Sequence, residues 1–283
     1  MIRSYLFTPA HRPELISRAH ERSADAILLD LEDSVPRDRK QAARDGLAEA
    51  ISVLTARAVP VVIRVNADLG ECVRDLEAAI LPGVDAIMLP KVIGADHLRL
   101  VADYLSMLER QAKLPEGQIK LIALIETAQG LMNAASIAKA TPRLTALAFG
   151  TEDFSTDCGH APSVEALKGP AQSLIHAAKA GCLQAIGLPG SIAEIHDMDS
   201  FRACVDLGRA IGFDAVLCIH PRQVEIVNAV FTPSASEIEQ ATRVVEAFDR
   251  ATQQGLGAVM LGGKMIDPPI VARAHSMLQS RRL

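Results

Sequence analysis

Several features are scarce or missing in this chain of 283 residues, and each absence narrows what it can be. No apolar run approaches the length that crosses a membrane. The opening Met1-Ile-Arg-Ser-Tyr-Leu-Phe-Thr-Pro lacks the long apolar core of a signal peptide. A basic excess is missing too: the net charge of −5 argues against a nucleic-acid partner and leaves any anionic ligand to local basic residues. The five cysteines (Cys72, Cys158, Cys182, Cys204, Cys218) form no CxxC pair, which fits a reducing compartment and small buried groups rather than a disulfide framework. The eight histidines show neither HxH nor HExxH spacing, so zinc is disfavoured. There is no internal repeat and no low-complexity tract. These absences predict a cytoplasmic protein with no membrane partner.

What is present is a succession of short apolar runs separated by helical patterns. Nearly half the residues (49%) are apolar, enough for a sizeable core. Strand-like runs fall at 5–9, 26–30, 59–64, 86–90, 121–126, 144–150, 183–189 and 215–220. Amphipathic stretches lie between them at 13–23, 40–55, 94–112, 132–140, 165–180 and 200–211. Eight strands alternating with helices in about 230 residues predict an α/β fold, a (β/α)8 TIM barrel. The competing open doubly wound sheet usually carries a glycine-rich fingerprint after its first strand, and Phe7-Thr-Pro-Ala-His-Arg12 has none. The barrel is expected over 1–235, with a C-terminal lid extension over 236–283. In that extension a helix at 236–254, capped by Ser236, leads through a glycine hinge at 255–267 to a final helix opened by Pro268-Pro269.

Barrel chemistry collects at the carboxyl ends of the strands. The organising stretch is Lys120-Leu-Ile-Ala-Leu-Ile-Glu126, an unbroken apolar run that stops at a carboxylate, and Leu144-Thr-Ala-Leu-Ala-Phe-Gly150-Thr-Glu152-Asp153 repeats the pattern one helix later. Two acids on adjacent strand ends suit a hard divalent cation such as Mg²⁺, which takes one or two protein carboxylates and fills its other positions with water and substrate. Either acid alone could instead cap the following helix or pair with Lys91. Arg64 can grip a carboxylate bidentately, and a salt bridge to Asp30 or Asp33 is the plainer alternative. Asp30, Glu32 and Asp33 are too many charges to leave unpaired. One is expected to hold metal-bound water and another to pair with Arg64 or Lys40, with Glu32 the most structural and Asp33 the catalytic candidate. Gly150, Thr151 and Glu152 are the expected substrate contacts beside Asp153. Arg12 and Lys40, with Arg37 and Arg39, could receive a phosphorylated ligand at the rim, although each alone reads as a solvated charge. His220 is expected to shape a turn. Asp267 is an odd surface acid, held between Met265-Ile266 and Pro268-Pro269.

The blocks Arg3-Ser-Tyr-Leu-Phe-Thr-Pro9, Asp25-Ala-Ile-Leu-Leu-Asp-Leu-Glu-Asp33, Ile63-Arg-Val-Asn66, Met88-Leu-Pro-Lys91, Leu124-Ile-Glu-Thr-Ala-Gln-Gly130, Phe149-Gly-Thr-Glu-Asp-Phe154, Cys218-Ile-His-Pro221 and Gly263-Lys-Met-Ile-Asp267 occur in this order along essentially the whole chain. Together they resemble the citrate lyase beta-subunit branch of the HpcH/HpaI aldolase family. The resemblance implies a Mg²⁺-dependent barrel enzyme that cleaves or forms a carbon–carbon bond between an acyl-CoA enolate and a 2-oxo acid. It implies Glu126 and Asp153 as metal ligands and Arg64 as holder of the oxo-acid carboxylate. Asp267 would enter a neighbouring subunit's site as general acid/base, which makes a homo-oligomer, trimer or hexamer, the expected state. Gly262 stands where the family often has Asp, and Cys158 where Leu is usual; both bear on substrate range.

The expected reaction is retro-Claisen cleavage of a citramalyl-, malyl- or citryl-CoA to acetyl-CoA and a 2-oxo acid such as pyruvate. Three alternatives stay open. They are an acyl-CoA thioesterase at the same site, a citrate lyase complex subunit acting on an acyl-carrier-protein thioester, and a class II aldolase without CoA, which the long C-terminal arm disfavours.

Overall fold

The computed structural model describes residues 2–193 and 195–280. Eight parallel strands form the first unit: β1 (Ser4–Pro9), β2 (Ala26–Asp30), β3 (Val61–Arg64), β4 (Ala86–Leu89), β5 (Lys120–Ile125), β6 (Leu144–Phe149), β7 (Gln184–Ile186) and β8 (Val216–Cys218). Their hydrogen-bonded order is β7-β6-β5-β4-β3-β2-β1-β8, and a parallel bridge between Ile186 and Ala215 joins the two outer strands. The expected (β/α)8 barrel is therefore present, nearly closed and surrounded by helices.

The strands read as unbroken apolar runs because both faces are buried. One parity, including Ala26, Leu28, Val62, Ala86, Met88, Ile122, Leu124, Ala146 and Ala148, fills the barrel interior. The other, including Ile27, Leu29, Ile63, Ile87 and Leu147, is also buried, on the outward face. Each fully buried Leu or Ile contributes about 1.5–3 kcal/mol of transfer free energy. The interior parity also decides the site. Continued by one step of two residues, Leu28 leads to Asp30, Val62 to Arg64, Leu124 to Glu126 and Ala148 to Gly150, so all four project into the carboxyl-end mouth.

Some boundaries differ from the sequence reading for local reasons. Strand β3 starts at Val61, not 59, because Pro60 has no N–H to give the sheet. The stretch 40–55 breaks at Gly46 into two helices, Lys40–Asp45 and Leu47–Thr55. A helix at Leu69–Ala79, capped by Asp68 through the Glu71 N–H, was not anticipated. None of the described helices is long and apolar enough to cross a membrane.

A second compact unit starts at Val230. Its long helix, Ala235–Gln253, is capped by Ser234 rather than Ser236, with Ser234 and Glu237 closing a reciprocal capping box. The expected glycine hinge is a β-hairpin: β9 (Val259–Leu261) pairs antiparallel with β10 (Lys264–Ile266). Gly262 and Gly263, at φ 55° and 78°, form the two-residue turn, whose twist requires positive φ at both positions. The final helix runs Pro268–Ser280; the expected continuation over 281–283 lies outside the described residues. The unit has its own small core of Ala241, Val244, Ile266, Val271 and Ala274.

Candidate active site

At the carboxyl end of the barrel lies a cavity of about 420 Å³. Asp30, Asp33, Arg64, Glu126, Gly150, Thr151, Glu152 and Asp153 line it, so most of the expected site residues do converge. Its apolar wall includes Phe7, Leu124, Phe149, Leu217 and Ile219, which limits water.

Glu126 follows β5 immediately and is 2% exposed. One oxygen, Oε1, accepts the Lys91 backbone N–H at 2.8 Å. The other faces Gly150, where a β-carbon would come within 2.6 Å of Oε2. Only glycine at 150 leaves that carboxylate its position. Burial, then the negative charges of Glu32 and Asp153, push the Glu126 carboxyl up to about 8. Asp153 sits in the first turn of the helix Thr151–Cys158 that follows β6, not on the strand itself. Glu152, its neighbour, accepts the Ser191 hydroxyl. Thr151 Oγ1 is buried without a hydrogen-bond partner.

On the opposite wall Arg64 is enclosed by acid. Its Nε and Nη2 donate to the two oxygens of Asp30 at 2.7 and 2.8 Å, the bidentate geometry a guanidinium favours. Nη1 lies 3.0 Å from Glu32 and 3.3 Å from Asp33, and the guanidinium stacks 4.7 Å over the Phe7 ring. The plainer sequence alternative, a salt bridge to Asp30 and Asp33, is thus observed. Asp30 also accepts from the Ser34 hydroxyl and N–H and from the Glu32 N–H. Burial works to raise the Asp30 pKa, but Arg64 and Ser34 outweigh it and hold it below the ordinary carboxylate value.

Glu32 is the acid least matched to its surroundings. It is 7% exposed, and its Oε2, although close to Arg64, makes no hydrogen bond. Burial first, then Asp33 and Asp30, raise its pKa to about 7 against the pull of Arg64. Asp30, rather than Glu32, therefore has the purely structural bonding. Asp33 keeps its side chain 62% exposed at the cavity edge.

Two expected substrate contacts lie elsewhere. Lys40 turns inward: its ammonium donates to the Leu31 and Glu32 carbonyls, both at 2.6 Å, and so fixes the loop that carries Glu32 and Asp33. Arg12 is exposed, paired with Glu14, and lines a separate groove of about 630 Å³ with His11 and Arg39. The two cavities share no lining residue. His220 shapes the turn after β8, as expected, its Nδ1 accepting the Arg222 N–H. Asp267 belongs to the second unit, where its carboxylate accepts the Ile270 N–H at the start of the final helix. Phe7, Ser34 and Ser191 were missed. Phe7 shares the parity of Tyr5 and Pro9 and was legible from it, whereas Ser34 and Ser191 carry no sequence signal.

Buried oxygen donors with surplus negative charge fit a hard cation. Glu126 is held at the mouth with one oxygen bonded and the other unobstructed, and the charge of Asp153 acts on it. Among the described residues no cluster of three or more His, Cys, Asp or Glu could hold a metal. Two carboxylates plus water and ligand oxygens is the arrangement Mg²⁺ commonly accepts.

A parallel barrel with an acidic, apolar-walled mouth of this kind suits a barrel enzyme that uses a hard cation. The family is specific. Residues 3–221 match the HpcH/HpaI aldolase/citrate lyase family model. The chain is 37% identical over 279 residues to a (3S)-malyl-CoA thioesterase of Cereibacter sphaeroides, covering 98% of this chain and 93% of that protein. It is 32% identical over 280 residues to the citrate lyase subunit beta of Leuconostoc mesenteroides subsp. cremoris, covering 98% and 92%. Among solved structures, the CitE protein of Mycobacterium tuberculosis, in complex with magnesium, acetoacetate and coenzyme A, matches with a TM-score of 0.76 and 29% identity, covering 99% of this chain and 98% of that one. The chain belongs to the HpcH/HpaI aldolase/citrate lyase family and is an enzyme of the citrate lyase beta-subunit-like lyases.

Proposed function

We propose that this enzyme cleaves the carbon–carbon bond of a 3-hydroxy-carboxyacyl-CoA, with citramalyl-, malyl- and citryl-CoA as candidates, to acetyl-CoA and a 2-oxo acid. The observation that carries this reading is the meeting of Glu126 with Asp153 at one apolar-walled mouth. The relative crystallised with magnesium, acetoacetate and coenzyme A supports it, as does a second M. tuberculosis structure complexed with oxaloacetate and magnesium.

Glu126 and Asp153 would hold Mg²⁺, with Gly150 keeping Glu126 in place. When bound, the ion polarises ligand oxygens and offsets negative charge. The chain's own residues do the rest. Phe7, Leu124 and Leu217 exclude water, and Arg64, held by Asp30, contributes positive charge beside the ligand. The start of the helix Thr151–Cys158 offers backbone N–H groups to an anionic oxygen. In cleavage the substrate hydroxyl loses its proton and becomes the keto group of the 2-oxo acid. The electrons of the broken bond form the thioester enolate, which takes a proton on carbon. Asp33 is a catalytic candidate for the first proton and Asp267, from a neighbouring copy, for the second. An α-proton beside a thioester is weakly acidic, so its donor must be closely held. Asp267, at a helix start between a strand and two prolines, is held in that way. This reading implies a homo-oligomer, trimer or hexamer, working in the cytoplasm where CoA thioesters are used.

A thioesterase is the second reading, favoured by the 37% identical malyl-CoA thioesterase. Purified protein with Mg²⁺ is assayed against the three thioesters, with 2-oxo acid and free thiol read separately. Oxo acid with an intact thioester is the expected result. Thiol without oxo acid would replace the lyase by the thioesterase, and silence on all three would overturn both in favour of an acyl-carrier-protein thioester.

A further inference from the structure

The cavity at the carboxyl end has two unlike sides. Asp30, Asp33, Arg64, Glu126, Glu152 and Asp153 come from β2, β3, β5 and β6 and the segments that follow them. The arc of β7, β8 and β1, made continuous by the Ile186–Ala215 bridge, contributes Ile192, Leu217, Ile219, Phe7 and Pro9. Among the described residues, no charged side chain from that arc lines the cavity. Arg64 is the one cation in the described lining, against five acids.

A single buried side chain holds the apolar side in shape. Gln223 is fully buried, and its Oε1 accepts the Ile219 N–H at 2.8 Å and the His220 N–H at 3.2 Å. Its Nε2 donates to the Ile192 carbonyl at 2.8 Å. One amide thus ties the loop after β7 to the turn after β8, and so sets the spacing of the two isoleucines.

The carbinol carbon of a 3-hydroxy-carboxyacyl-CoA carries a hydroxyl, a carboxylate, the thioester arm and a fourth group. That group is hydrogen in malyl-CoA, methyl in citramalyl-CoA and carboxymethyl in citryl-CoA. The acidic side, with a bound cation and Arg64, serves the hydroxyl and one carboxylate, which leaves the other two groups to the apolar side. A second carboxylate there would lose water without gaining a counter-charge, and the surplus acid of the cavity would repel it.

We propose that the fourth group is hydrogen or a small alkyl group, so that the oxo acid released is a monocarboxylate of the glyoxylate or pyruvate type and not a dicarboxylate. This rests on the functional reading above and narrows its substrate. Malyl- and citramalyl-CoA fit the cavity's charge pattern, and citryl-CoA does not.

The test compares kcat/KM for citramalyl- and citryl-CoA, which differ by a carboxylate in place of one methyl hydrogen. Wild type, Ile219→Arg and Ile192→Lys are assayed with Mg²⁺, reading the 2-oxo acid. Wild type is expected to favour citramalyl-CoA roughly ten- to hundredfold. A cation added to the apolar side is expected to narrow that preference by about tenfold. Ile219 is 42% exposed, so an arginine there can extend to water without disturbing the fold, and Ile192→Lys repeats the test from the loop after β7. Calorimetry separates charge from size: 4-methyl-2-oxopentanoate has as many heavy atoms as oxaloacetate but no second charge, and is expected to bind Mg²⁺-loaded wild type more tightly. Equal or preferred cleavage of citryl-CoA, or tighter binding of oxaloacetate, would overturn the proposal and leave the lyase reading standing. So would a preference that neither folded variant alters, because it would not come from the apolar side. If no oxo acid forms from these two thioesters or from malyl-CoA, the functional reading fails and the inference with it.

Discussion

Each end of the barrel buries an arginine against acid, one carboxylate at one end and three at the other, and the two sites behave differently. At the amino-terminal end, Arg143, just before β6, donates to both oxygens of Glu109 at 3.0 and 2.6 Å. The same oxygens accept the Gly117 and Ile119 N–H groups, both at 2.8 Å, and Arg143 also reaches Ser106 and the Ile119 carbonyl. Burial works to raise the Glu109 pKa, but Arg143 and the two amides outweigh it and hold it low. Donors match acceptors there. At the carboxyl end one arginine meets three acids, Glu32 has an oxygen without a hydrogen bond, and Glu32 and Glu126 are pushed to about 7 and about 8. A balanced network supports the fold. A surplus of buried acid calls for a cation from outside.

The strongest way to break this contrast is to remove Arg143. Arg143→Ala leaves Glu109 buried and unpaired, which should cost about 3–5 kcal/mol of stability in urea unfolding. Turnover per folded molecule should stay within about twofold. A large loss of turnover at unchanged stability would place chemistry at the wrong end.

Stability against pH sharpens the contrast, since the two ends have opposite signs. Between the ordinary carboxylate value and their raised ones, folded Glu32 and Glu126 keep protons that the unfolded chain has released. The folded state binds more protons there, so stability falls as pH rises, by about 1.4 kcal/mol per pH unit for each carboxyl in its window. Glu109, held low, contributes stability that is present at neutral pH and lost as pH falls through its depressed pKa. The Tm of metal-free protein should therefore decline from about pH 5 upward. Glu32→Gln should flatten the part below about 7, and Mg²⁺ should offset the rest. A decline that Glu32→Gln leaves untouched would clear Glu32 of this role.

The finest probe is Gly150→Ala. Its β-carbon would fall 2.6 Å from Glu126 Oε2, so the carboxylate must move. A displacement of that size should lower turnover roughly ten- to hundredfold, with about 1–3 kcal/mol of stability lost. Full activity would mean that the position of Glu126 does not matter.

The barrel was legible because its strands are buried on both faces, and unbroken runs such as Ile27-Leu28-Leu29 have no other easy reading. The mouth was legible through parity, which carries Leu124 to Glu126 and Val62 to Arg64. The hairpin was not, although Gly262-Gly263 between Val-Met-Leu and Lys-Met-Ile is a turn signal. Its strands are three residues long, with Met260 and Met265 each 63% exposed, so no apolar run announced them. Ser234 and Ser236 each have a Glu three residues on, and only geometry chose Ser234. Lys40 could not be resolved from sequence because its partners are backbone carbonyls, which every residue has.

The most direct test is Mg²⁺ titration of the purified protein beside Glu126→Gln and Asp153→Asn, with folding checked by circular dichroism. One saturable site in wild type, lost or weakened at least about tenfold in both folded variants, is the expected result. Wild-type Mg²⁺ affinity in either folded variant would contradict the assignment of the mouth as a cation site.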